Sequence, residues 1–139
     1  MQLEKKYYTV QDSETLKLMF QHIQESETIA VDTETSGLNP RKDKIVGWSI
    51  SGDEGIGFYI PTLVWNFNKG ELQVQKIDGT STETISKNLL KTLKGKKLVF
   101  HNASFDVQFI KNYFNIDLTE DIWVDTGLLV HTVYEEGAF

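Results

Sequence analysis

Residues 28–40 read Thr28-Ile29-Ala30-Val31-Asp32-Thr33-Glu34-Thr35-Ser36-Gly37-Leu38-Asn39-Pro40, and the fold class turns on them. Ile29, Ala30 and Val31 favour a buried strand, and the Ser-Gly-Leu-Asn-Pro that follows ends it in a turn. Strand side chains alternate between faces, so Asp32 and Glu34 share one, roughly 7 Å apart along the chain. Two carboxylates so placed repel each other and lose hydration unless a cation lies between them. A bare Asp-x-Glu is a common pattern, however, and a turn-capping Asp32 beside a solvated Glu34 also accounts for it.

Upstream, the apolar run 7–10 suggests a strand. Asp12 or Ser13 then caps a helix whose Leu16, Met19, Phe20 and Ile23 recur at i, i+3, i+4 and i+7. Downstream, 45–51 and 56–60 read as two strands around a turn, and Pro61 ends the second because it cannot donate to a ladder. Residues 62–79 are polar and irregular, a surface loop or small hairpin. Thr80 and Glu83 fit a capping box before Ile85, Leu89 and Leu93, and Gly95 stops that helix. A buried strand at 97–101, a helix at 105–114, a strand at 122–124 and a helix at 126–134 complete the chain.

Three strands joined by short turns imply an antiparallel meander, and the later strand–helix alternation implies right-handed parallel crossovers. The expectation is one α/β domain over residues 1–139. Its five-stranded mixed sheet is expected in the order 3-2-1-4-5, counted from the 28–33 strand, with helices on both faces in the ribonuclease H-like manner.

Composition narrows the function. No apolar run approaches the roughly 18–20 residues of a membrane span. The start MQLEKKYYTV has no apolar stretch of signal-peptide kind. The absence of cysteine removes disulfides and thiolate metal sites, and is compatible with a cytoplasmic protein. A net charge of −6 argues against general coating of nucleic acid, whose phosphates attract basic domains. It does not argue against an enzyme whose bound cations supply the positive charge at the phosphate.

Two further acidic positions end strands or open helices. His101-Asn102-Ala103-Ser104-Phe105-Asp106 follows a strand, at the edge where parallel α/β sheets build sites. Asp106 shares a helix face with Phe109, Ile110 and Tyr113, so it is carried inward and needs a partner; the alternative is an acid set against the helix dipole. Asp125 closes the last strand near the same edge, where an N-cap of the next helix explains it adequately. His101 and His131 are candidate bases, though His101 is expected to be a neutral core histidine. Lys87, Lys91 and Lys94 share a solvated helix face beside Lys96 and Lys97. Trp65 and Phe67 could stack on bases, though anchoring their own loop is the simpler reading.

IAVDTETSGLNP, KIVGWSIS, GFYIP, VFHNASFDVQFI and VDTGLLVH, in that order and spacing, resemble the 3′→5′ proofreading exonuclease domain of family A (polymerase I type) DNA polymerases. The resemblance covers nearly the whole chain. It implies hydrolysis of DNA 3′ ends with two metal ions, Mg²⁺ or Mn²⁺, held by Asp32, Glu34 and Asp106, with Asp32 bridging both. It implies that Leu38 wedges against the terminal base and that Asn102 lies beside the scissile nucleotide; Thr33 is a third candidate for substrate contact. The implied partners are a single-stranded 3′ end and a polymerase domain, or a continuation of the chain.

The family's third motif, a Tyr-x-x-x-Asp on a later helix, supplies a fourth carboxylate and a water-orienting tyrosine. It is expected to be missing here, since Tyr134 is followed by Glu135 and Glu136 but by no acid at i+4. Two classes of protein follow: a nuclease completed by a continuation or partner, or a non-catalytic module keeping the fold. Without closing helices, apolar sheet surface is expected to drive self-association, as a homodimer through the C-terminal region.

Overall fold

The computed structural model describes residues 5–126. They form β1 (Lys6–Thr9), α1 (Ser13–Glu25), β2 (Thr28–Thr35), β3 (Ile45–Asp53), β4 (Ile56–Pro61), β5 (Leu63–Asn66), β6 (Glu71–Val74), β7 (Lys76–Ile77) and β8 (Thr80–Ser81). Then follow α2 (Thr82–Leu93), β9 (Lys97–Phe100), α3 (Ala103–Phe114), a 3-10 turn (Thr119–Asp121) and β10 (Ile122–Asp125). The helix expected at 126–134 lies, beyond Thr126, outside the described residues, as does His131.

The main sheet runs β1-β4-β3-β2-β9-β10. β2, β3 and β4 form the antiparallel meander, and β9 and β10 add in parallel on the far side of β2. This is the expected order with one strand more. β1 lies parallel outside β4, from Lys6 opposite Ile56 to Thr9 opposite Tyr59. The run at 7–10 is legible as a strand, but the pairing of a four-residue edge strand leaves no local signature.

One core holds the molecule together. Met19 and Ile23 of α1, Ile85, Leu89, Leu90 and Leu93 of α2, and Phe109 and Ile110 of α3 pack against Ile29, Val31, Trp48, Ile50, Phe58, Ile60, Leu98 and Phe100 of the sheet. The three helices therefore share one face. Strand alternation assigns Ala30, Asp32, Glu34, Ser49, Ser51, Tyr59 and Val99 to the other. Cover on both faces was expected; among the described helices it is found on one.

The helix starts differ in their chemistry. Asp12 caps α1 in a reciprocal box, its Oδ1 accepting from the Thr15 amide at 2.8 Å. The cap of α2 is Ser81, whose hydroxyl accepts from the Glu83 amide at 3.2 Å, instead of the expected Thr80. Thr80 and Ser81 both pair in the β7–β8 ladder, opposite Ile77 and Lys76, and the helix begins at the residue after the ladder, Thr82. Asn102, before α3, is left-handed at φ 66° and offers that helix no cap from its own side chain. No described helix is long and apolar enough to cross a membrane.

The segment 62–79 is a hairpin, β5–β6, followed by the short β7–β8 ladder. Leu63 is its buried anchor, while Trp65 and Phe67 are 51% and 88% exposed. The two aromatics thus project into solvent and do not anchor the loop.

Candidate functional site

Asp32 and Glu34 occupy alternate positions near the carboxyl end of β2, opposite Ser49 and Gly47 of β3, and both are exposed. The sequence did not point to Tyr59, whose hydroxyl lies over Gly47, where a Cβ would come within 2.3 Å of it. Gly47 is the cross-strand neighbour of Glu34, so the tyrosine hydroxyl takes the place of a side chain facing that carboxylate. Burial pushes the Tyr59 hydroxyl pKa up, and the charge of Glu34 adds to the rise. The missed signal is a strand glycine with a tyrosine diagonally across the ladder, Tyr59 standing opposite Ser49 and Gly47 opposite Pro61.

Asp106 enters from the other side. It lies one turn into α3 and is buried at 2% exposure. The Thr33 hydroxyl donates to its Oδ1, while Oδ2 is buried with no hydrogen-bond partner among the described residues. Burial first, then the charges of Asp32 and Glu34, raise its pKa to about 6, against the lowering effect of the Thr33 hydroxyl. The three carboxylates are thus close enough for their charges to interact.

The other expected residues fall out as follows. Thr33 points to the core side and is spent on Asp106, so its side chain positions a carboxylate instead of facing a substrate. Leu38 is 84% exposed at the tip of the loop after β2. That loop is braced by Asp43, which accepts from the Asn39 amide at 2.9 Å and packs so close to Gly37 that a Cβ there would lie 2.5 Å from Oδ2. Asn102 is exposed at the turn into α3. His101 is exposed too, its Nδ1 3.0 Å from the Thr126 hydroxyl, and so is not the core histidine expected. Lys94 is paired with Asp121 at 2.8 Å, Lys96 donates to the Ser26 carbonyl, and Lys97 lies over Trp123. Much of the basic cluster is therefore engaged within the fold.

Asp125 does something the sequence did not indicate. Its Oδ1 accepts from the Asn102 amide and its Oδ2 from the Ala103 amide, each at 2.9 Å. It caps α3, the helix before its own strand; a role toward the helix after it lies outside the described residues.

The spacing Tyr-x-x-x-Asp, expected to be missing, occurs twice elsewhere, at Tyr8–Asp12 and Tyr113–Asp117. Neither serves the site. Asp12 caps α1. Tyr113 donates to Glu83 at 2.8 Å, and Asp117 accepts from the Thr119 amide at 2.9 Å.

The donor chemistry suits a hard divalent cation. All three side chains offer oxygen only, and one buried oxygen is uncommitted. As they stand, though, no three His, Asp or Glu side chains among the described residues are drawn together tightly enough to hold a metal ion.

A mixed sheet with this strand order, packed by helices, is the architecture of the ribonuclease H-like exonucleases. The chain belongs to the 3′-5′ exonuclease family, whose match runs over residues 7–128. DNA polymerase I of Borreliella burgdorferi is 30% identical over 109 residues, which is 77% of this chain and 11% of that protein. This chain therefore spans about a tenth of the polymerase's length. The EXO domain of Aedes aegypti Nibbler superposes with a TM-score of 0.64 at 15% identity, covering 96% of this chain and 59% of that one. Trypanosoma brucei RNase D, in a complex with RNA U12, gives 0.61 at 17%, covering 89% and 38%. At such identities these two structures speak for the fold alone.

Proposed function

We propose that the domain hydrolyses the last phosphodiester at the 3′ end of a DNA strand, as a polymerase-associated proofreading module. Asp32, Glu34 and Asp106 would hold Mg²⁺ or Mn²⁺ there, two ions in the complete site. The observation that carries this reading is Asp106, a buried carboxylate with an uncommitted oxygen beside two further carboxylates, in a chain of exonuclease family.

In the reaction, water attacks phosphorus, the bond to the 3′-oxygen breaks, and that oxygen leaves as the hydroxyl of the shortened strand. Bound cations supply activation of the water and stabilisation of the leaving oxygen. Asp32 and Glu34 provide ligands from a rigid strand, and Asp106 adds one from α3, its orientation set by Thr33. Leu38, on its braced loop, meets the terminal base, and Asn102 meets the nucleotide beside the broken bond. A helix carrying Tyr-x-x-x-Asp would add a fourth carboxylate and a water-orienting tyrosine.

A 5′-labelled single-stranded oligonucleotide tests this. The 139-residue chain is expected to act slowly in Mg²⁺ and measurably in Mn²⁺, because a displacement near 1 Å at such a site costs about 100-fold. Adding a helix that carries Tyr-x-x-x-Asp restores degradation from the 3′ end, and Asp32→Ala abolishes it. Degradation from the 5′ end, or activity indifferent to Asp32, overturns the proposal. The second reading, a non-catalytic nuclease-fold module, is favoured by the loose spacing of the three acids. It prevails if the completed chain leaves the oligonucleotide intact.

A further inference from the structure

The first turn of a helix leaves amide groups without intrahelical partners, and a buried helix start needs acceptors from elsewhere. α3 carries Asp106 in that region, yet its own N-cap, Asn102, is left-handed and provides no side-chain acceptor. Both acceptors come from Asp125, a residue 23 positions from Asn102 and 22 from Ala103, at the end of a neighbouring parallel strand. A carboxylate in this position also meets the positive end of the helix dipole. The adjoining Thr126 binds the same turn, its hydroxyl 3.0 Å from His101 Nδ1 and 3.3 Å from the Phe100 carbonyl.

These contacts fix where α3 begins relative to β9, and hence the height at which Asp106 faces β2. The placement is exacting, because Asp106 must reach the Thr33 hydroxyl with one oxygen and leave the other uncommitted. We propose that Asp125 is a positioning residue of the candidate site: by capping α3 from β10 it holds Asp106 in register with Asp32 and Glu34, and so sets the site's affinity for a divalent cation. This rests on the carboxylate reading of the site given above. The task it gives Asp125 is one of capping, through the Asn102 and Ala103 amides, and does not require ligation.

The test is Mn²⁺ binding by calorimetry to the 139-residue chain and to four variants, with thermal melts alongside. Loss of a residue that orients a ligand typically weakens metal affinity by about 10- to 100-fold. Asp125→Ala is expected near the lower end of that range, and Asp125→Asn, which keeps one acceptor, between it and wild type. Asp12→Ala removes the cap of α1, away from the site, and serves as the stability control; its Mn²⁺ affinity is expected within about twofold of wild type. Asp32→Ala is expected to lose binding. Wild-type affinity in Asp125→Ala, with binding lost in Asp32→Ala, overturns the positioning role and leaves the site intact. Equal weakening in Asp12→Ala and Asp125→Ala reduces Asp125 to a stabilising cap and also overturns it. Binding indifferent to Asp32 removes the site itself. Should Asp125→Ala not fold, Asp125→Asn against Asp12→Ala carries the same comparison.

Discussion

At position 106 a carboxylate is buried among apolar side chains while two negative charges act on it from β2. Its pKa of about 6 compares with an ordinary value of 3.8, burial being the larger cause. Between these values the folded chain keeps a proton that the unfolded chain has released. Stability from this group is therefore complete below about pH 4 and is lost as pH rises through 6. Thermal melts should accordingly show Asp106→Asn flattening the fall in melting temperature between pH 4 and pH 7. Mn²⁺ should raise the wild-type value more at pH 7 than at pH 5. A variant with the wild-type slope would assign the pH dependence to other groups. Much of this was legible beforehand: the period of two puts Asp32 and Glu34 on one face, and Phe109 and Ile110 carry Asp106 inward. The Thr33 hydroxyl was not, because that contact joins residues 73 positions apart. His101 was misplaced because the strand pattern gives no warning that the chain turns left-handed at Asn102.

Among the elements, the hairpin and α2 depend on one hydroxyl. Thr82 Oγ1 is buried, 2.7 Å from the Thr62 carbonyl and 2.9 Å from the Gln75 carbonyl, at the two ends of the β5–β6 excursion. Thr82→Val keeps the shape but removes the single O–H shared between these carbonyls, which retain the Gln75 and Thr82 amides as donors. It should cost about 0.5–1.5 kcal/mol, measured by urea unfolding; no measurable loss would mean that the backbone donors suffice. Helix and strand existence followed from periodicity in this region. The position of the α2 cap did not, because the helix starts where the β7–β8 ladder ends, and that two-residue ladder is too short to leave a pattern.

For the molecule as a whole, the described helices pack on one sheet face, and among the described residues the other face carries a cleft of about 590 Å³, lined in part by Tyr7, Ala30, Asp32, Tyr59 and Val99. Tyr7 and Trp123 are 72% and 58% exposed. Apolar patches above a few hundred Å² tend to find partners. The isolated 139-residue chain is expected to self-associate, its weight-average mass rising toward a dimer with concentration in light scattering. A constant monomer mass across the range counts against it. The expectation of one-sided exposure came from the resemblance, and the first strand was legible in the sequence, whereas its pairing beside β4, which extends this face, came only with the structure.

The capping of α3 from β10 also orders events in time. A nascent chain halted anywhere before residue 125 can form the β2–β4 meander and expose both acids of β2. The acceptors that register α3 have not yet been synthesised. Closing the Thr33–Asp106 contact already costs the entropy of a long loop, and the clamp arrives some twenty residues later still. The ribosome therefore releases the strand that carries Asp32 and Glu34 first and the residue that caps the helix carrying Asp106 last, so in an unfinished copy that helix begins without its acceptors.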